Sequence, residues 1–103
     1  MRGMLGIKKS DLRENEPIKA SVAGRDFVLV LHNGRVNALD GLCTHEQGPL
    51  FEGSVDGDGL VCPWHSGVFD IETGKANENT PWVTDTAHYD VGEDQSGELF
   101  IEL

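Results

Sequence analysis

Two short segments constrain this chain more than anything else in it: Cys43-Thr44-His45 and, sixteen residues on, Cys62-Pro63-Trp64-His65. Together they hold both cysteines and two of the four histidines. Each brings one sulfur and one imidazole, so Cys43, His45, Cys62 and His65 make a four-ligand metal site out of two loops. Thiolate with imidazole suits zinc or an iron–sulfur centre and suits magnesium or calcium poorly. A chain of 103 residues buries a limited core, and a centre that ties two loops together adds to its stability.

The order of the ligands bears on the metal. Structural zinc modules usually bring like ligands together, Cys-x2–4-Cys and then His-x3–5-His. Here each loop is mixed. That order lets both thiolates meet one iron and both imidazoles a second, which is a [2Fe–2S] cluster with His replacing Cys on one iron. Two neutral ligands in place of two thiolates make such a cluster easier to reduce than an all-Cys one. A structural zinc module is also compatible with these four side chains.

The run Cys43-Thr44-His45 … Cys62-Pro63-Trp64-His65-Ser66-Gly67-Val68-Phe69-Asp70 … Thr73-Gly74 resembles the cluster-binding region of Rieske proteins. The resemblance extends to Ala38-Leu39-Asp40, Gly53 and Pro81, and the length and strand rhythm are similar to those of stand-alone Rieske-type ferredoxins. It implies an all-β Rieske fold: a small antiparallel β-sandwich or barrel-like base with an inserted two-loop cluster-binding subdomain. One domain would span residues 1–103, with its cluster-binding part at about 41–71. It also implies one [2Fe–2S] cluster, Cys43 and Cys62 on the buried iron and His45 and His65 on the other, near the surface. Glu46, Gln47, Trp64, Ser66 and Pro81 surround those imidazole edges and are the candidates for a docking face.

The chain departs from the respiratory branch of that family. Gly48 and Trp64 stand where that branch has two disulfide-bonded cysteines, and Gly67 and Phe69 stand where it has Ser and Tyr hydroxyls that donate toward the cluster. Fewer donors disfavour the added electron, so the expected potential lies toward the roughly −150 mV end of the Rieske range. Ser66 occupies a position where Gly is more usual. The resemblance therefore implies a soluble one-electron carrier, not an enzyme, passing electrons from a flavoprotein or ferredoxin reductase to a terminal oxygenase. The alternative it leaves is a small Rieske subunit of a larger oxidoreductase such as a nitrite reductase.

The rest of the chain reads as short strands. Leu5-Gly6-Ile7, Pro17 to Ala23, Asp26 to His32, Arg35 to Leu39, Val68 to Ile71, Trp82-Val83, Ala87 to Val91 and Leu99 to Leu103 are the expected strand segments. Asn33-Gly34 is the strongest hairpin signal. Ser10-Asp11 caps at most one helical turn before Pro17. His32 and His88 lie away from the motif; His32 reads as a surface residue and His88 as structural or exposed. Asp56-Gly57-Asp58-Gly59 lacks the rest of a calcium loop. Gly67 is expected to supply a backbone conformation that other residues resist. A net charge of −10 argues against nucleic acid and anionic membranes as partners and favours a basic partner surface. No signal-peptide or membrane-length apolar run is present, so the expected location is cytoplasmic and the expected state a monomer.

Overall fold

The computed structural model describes residues 2–44 and 46–103; His45 lies outside the described residues. Among the described residues, ten strands form three antiparallel sheets. They are β1 (Arg2–Lys8), β2 (Ile18–Val22), β3 (Arg25–His32), β4 (Arg35–Asp40), β5 (Ser54–Asp56), β6 (Gly59–Val61), β7 (Val68–Asp70), β8 (His88–Tyr89), β9 (Val91–Glu93) and β10 (Glu98–Glu102). The sheet orders are β1-β10-β9, β2-β3-β4-β8 and β5-β6-β7. The first two make the base and the third is the insertion, as the sequence leads one to expect.

The β3–β4 hairpin positions everything else. Asn33 (φ 53°) and Gly34 (φ 76°) turn it in the left-handed region, with His32 paired to Arg35. Left-handed torsions at both central residues match the twist of the flanking strands. The run Phe27-Val28-Leu29-Val30 is apolar at every position because both faces of this sheet are covered. Phe27, Leu29 and Ala38 pack with Leu5, Ala20, Leu99 and Ile101 in the base. Val28, Val30 and Leu39 pack the other way, with Leu50, Leu60, Phe69, Ile71, Cys43 and Cys62. The cysteines are thus part of the second core rather than appended to it.

Three expectations are corrected. His32 is not on the surface: it is 4% exposed, with Nδ1 2.7 Å from Asn15 Oδ1 and Nε2 2.8 Å from Asp58 Oδ1. It points to the same side as Val28 and Val30, and Asp58 at the β5–β6 turn meets it there. Trp82-Val83 is a turn and bend, not a strand, because Val83 N bonds back to Thr80 O at 3.2 Å. The stretch from Ala87 to Val91 is two strands, broken at Asp90: β8 pairs with β4 and β9 with β10, in different sheets. Asp56-Gly57-Asp58-Gly59 is the tight turn joining β5 to β6, with Asp56 paired to Gly59. His88 is half-buried with Nε2 3.3 Å from Asn37 Oδ1.

Among the described residues, no helix is long and apolar enough to cross a membrane.

Candidate metal centre

The two ligand loops are built alike. The first runs from Cys43 to Gly48 and is closed by Cys43 N donating to Gly48 O at 2.7 Å. The second runs from Cys62 to Gly67 and is closed by Cys62 N donating to Gly67 O at 2.8 Å. Each springs from a paired foot, Leu42 against Pro49 and Val61 against Val68. Each turns through two consecutive left-handed residues, Glu46 (φ 59°) and Gln47 (φ 57°) in one, His65 (φ 65°) and Ser66 (φ 58°) in the other.

Gly67 is therefore not the residue with the unusual torsion. Its constraint is space: a Cβ there would lie 2.5 Å from Val83 Cγ1. The strain falls on His65 and Ser66 instead, where an L side chain is disfavoured by about 1 kcal/mol.

Neither Cys43 nor Cys62 is in a disulfide, and each is 1% exposed. Burial pushes the Cys62 thiol up to about 11; the backbone N–H of Trp64, 3.4 Å from its Sγ, opposes that, and the adjoining Cys43 thiol adds to it. A buried sulfur in apolar surroundings, as at Cys62, is poorly placed to ionise alone and well placed to ionise onto a metal. Gly48 leaves room beside them, since a Cβ at that position would lie 3.0 Å from Cys62 Sγ. His65 is exposed at the loop tip with Nδ1 3.5 Å from Glu46 Oε2, a contact between the two loops. Buried thiols behind an exposed imidazole fit a cluster that is held from inside and reached from outside.

A third segment, residues 80–84, clamps both loops. Thr44 Oγ1 donates to Thr84 O at 2.8 Å and accepts from Thr84 N at 3.0 Å. Thr80 Oγ1 accepts from Val68 N at 3.3 Å, and Val83 fills the space above Gly67. Pro81 sits within this segment. The foot of the first loop is braced separately: Arg25 Nη2 donates to Tyr89 OH at 2.7 Å, Tyr89 OH donates to Asp40 Oδ1 at 2.8 Å, and Gly41 N donates to Asp26 O at 2.9 Å. Burial, with the Asp40 carboxylate behind it, raises the Tyr89 hydroxyl's pKa against the opposing pull of Arg25.

Gly48 and Trp64 face each other across the loops, the Gly48 Cβ direction meeting Trp64 Cβ and Cγ at 3.0 Å. Trp64 thus packs over the first loop and still leaves 49% of itself exposed. Leu50 is fully buried in the cysteine core, and Phe51 packs at its edge. Thr44, Thr80 and Val83 were not singled out from sequence. Their roles depend on contacts with segments that are distant along the chain.

An all-β fold that carries one such loop after a base strand and the other between two strands of an inserted three-stranded sheet is that of an iron–sulfur protein of the mixed cysteine–histidine class. Residues 4–90 match the Rieske [2Fe-2S] domain family, and the chain belongs to it. It therefore carries one [2Fe–2S] cluster. It is similar to the ferredoxin component of the naphthalene 1,2-dioxygenase system of Pseudomonas putida, 37% identical over 70 residues, 68% of this chain and 67% of that one. The ferredoxin component of the naphthalene 1,2-dioxygenase/salicylate 5-hydroxylase systems of a Ralstonia species is 36% identical over 81 residues, 79% of this chain and 77% of that one. Among solved structures, the ferredoxin of Sphingomonas yanoikuyae superposes with a TM-score of 0.86 at 27% identity, covering 98% of each chain.

Proposed function

We propose that the chain is one Rieske domain, residues 1–103, acting in the cytoplasm as a soluble one-electron carrier between a reductase and a terminal oxygenase. Its cluster-binding part is residues 41–71 together with the clamp at 80–84. The observation that carries this reading is the pairing of two buried thiols, Cys43 and Cys62, with an exposed imidazole, His65, on loops of matching build. Cys43 and Cys62 hold the inner iron, and His45 and His65 the outer. The cluster supplies reversible one-electron chemistry. The protein's residues bury its sulfur side, donate the Trp64 N–H to one sulfur, and leave the histidine side open to a partner. With four protein ligands no coordination position is left for a substrate, which suits a carrier rather than a catalyst. The relatives named as ferredoxin components of dioxygenase systems support the same assignment of partners.

Gly67 and the fully buried Phe69 present no hydroxyl toward the loops. Without those donors the midpoint lies below zero, toward roughly −150 mV. A redox titration with EPR of the reduced protein tests the whole reading. A rhombic His-ligated [2Fe–2S] signal at negative potential is expected. A colourless zinc protein would remove electron transfer, and a midpoint above about +100 mV would move the protein to a quinol-linked role.

A further inference from the structure

The turn that sets the base hairpin is also a chemically weak point. Asn33 is the only one of the five asparagines that is followed by glycine. The side-chain amide carbon of an asparagine is open to attack by the backbone nitrogen of the next residue, and a glycine there has no side chain to block the approach. That nitrogen gives up its proton, the N–Cγ bond forms, and the side-chain nitrogen leaves as ammonia. Water then opens the resulting succinimide at either carbonyl, giving aspartate or isoaspartate. The first step depends on the Gly34 N–H, and in this structure that group is held. The Glu14 carboxylate accepts from both amides of the turn, from Asn33 N at 2.6 Å through Oε2 and from Gly34 N at 3.3 Å through Oε1. The segment that carries Glu14 is itself fixed beside β3: Glu14 bridges Leu31 in parallel, and Asn15 N donates to Leu31 O at 2.7 Å.

We propose that Asn33 is a latent deamidation site, and that the Glu14 carboxylate keeps it closed in the folded protein. A negative charge and a hydrogen bond at an N–H both disfavour loss of its proton. The residue types explain why such a guard matters. Asparagine followed by glycine is the preferred pair for left-handed torsions at both central positions, φ 53° and 76° here. The pair best suited to the turn is thus also open to ring closure, and Glu14, Asn33 and Gly34 are all exposed to water. Isoaspartate adds a backbone carbon to a two-residue loop whose length sets the strand register. His32, immediately before Asn33, holds Asp58 of the inserted sheet, so damage at this turn reaches the sheet that bears the second ligand loop. The inference is independent of the carrier reading.

The test follows the chemistry at Asn33 directly. The cluster-loaded protein is incubated at mildly alkaline pH, and the same chain is incubated unfolded in urea, with the Asn33 peptide followed by mass spectrometry. Replacing the amide by an acid changes the mass, whereas isomerisation at the three Asp-Gly pairs does not, so the signal belongs to asparagine. Folded wild type should convert Asn33 about tenfold more slowly than the unfolded chain. In the folded state Glu14→Ala should convert it about fivefold faster than wild type, and Glu14→Gln, which keeps an oxygen at the turn without the charge, about threefold faster. Hydrogen exchange across β3 and β4 should match wild type in both variants, which separates a chemical guard from loss of the hairpin. Equal rates in folded and unfolded wild type, either Glu14 variant as slow as wild type, or acceleration accompanied by faster exchange across the whole hairpin overturns the proposal.

Discussion

The first and second ligand loops have the same length, the same closing backbone hydrogen bond and the same pair of left-handed residues, yet they are held in place by different means. The first grows directly out of β4, a strand of the base, and its foot is tied by Asp40, Tyr89 and Arg25. The second sits between β6 and β7 of the inserted sheet, whose far turn reaches the base through Asp58 and His32. A polar side chain fixes the first loop to the clamp, the Thr44 hydroxyl bonding the backbone N–H and C=O of Thr84. Close packing of Val83 on Gly67 does much of that work for the second. Equal backbone geometry does not require equal support; each loop uses what its neighbours along the chain provide.

The comparison can be broken most strongly at the ligands themselves. Cys43→Ser and Cys62→Ser should each give protein without the visible cluster spectrum, because the inner iron needs both thiolates. If one variant kept a full spectrum, the two loops would not be equivalent in ligation. Cluster loss should also lower Tm in wild type, since binding free energy at such a site is folding free energy.

His32→Ala comes next. It removes the ring that meets both Asp58 and Asn15 in a buried position and should cost about 2–3 kcal/mol by denaturant titration. Hydrogen exchange should rise in β5 and β6 more than in β4. Equal loss of protection in both sheets would show that His32 serves the base and not the second loop.

Gly67→Ala and Gly48→Ala separate the loops again. The added methyl at 67 would meet Val83 at 2.5 Å, while that at 48 meets the half-exposed Trp64 at 3.0 Å. Overpacking against Val83 should cost about 2 kcal/mol, and the second change about 1 kcal/mol, because its contacts with Trp64 and with Cys62 Sγ, each 3.0 Å, need only a small shift to relax. The reverse order would mean that Val83 yields more readily than Trp64. Thr44→Val, the smallest change, should cost about 1 kcal/mol with Thr44→Ser largely restoring it, since one hydroxyl makes both bonds to Thr84.

Much of this was legible in the sequence because the features are local. Asn33-Gly34 fixes its hairpin by torsion alone, and the Cys-x-His and Cys-x-x-His spacing sets both loops. What was not legible depends on partners far along the chain. His32 follows a run of apolar residues and looks like a strand end, but Asp58, 26 residues away, draws it inside. Trp82-Val83 has the composition of a strand, yet Val83 is used as a plug over Gly67. The stretch from Ala87 to Val91 alternates like one strand, and only the need to serve two sheets splits it at Asp90. Gly67 drew attention as the flexible residue, whereas the left-handed torsions fall on His65 and Ser66, which lack that freedom.

One pairing described above bears on the order of events during synthesis. The β2–β3–β4 and β5–β6–β7 hairpins join neighbours in the chain, so they can form early and rapidly. The β1–β10 ladder matches Arg2 with Glu102, and it must wait for almost all of the 103 residues to leave the ribosome. Both cysteines and the clamp emerge before that closure. Metal loading can therefore precede the sealing of the base by β10.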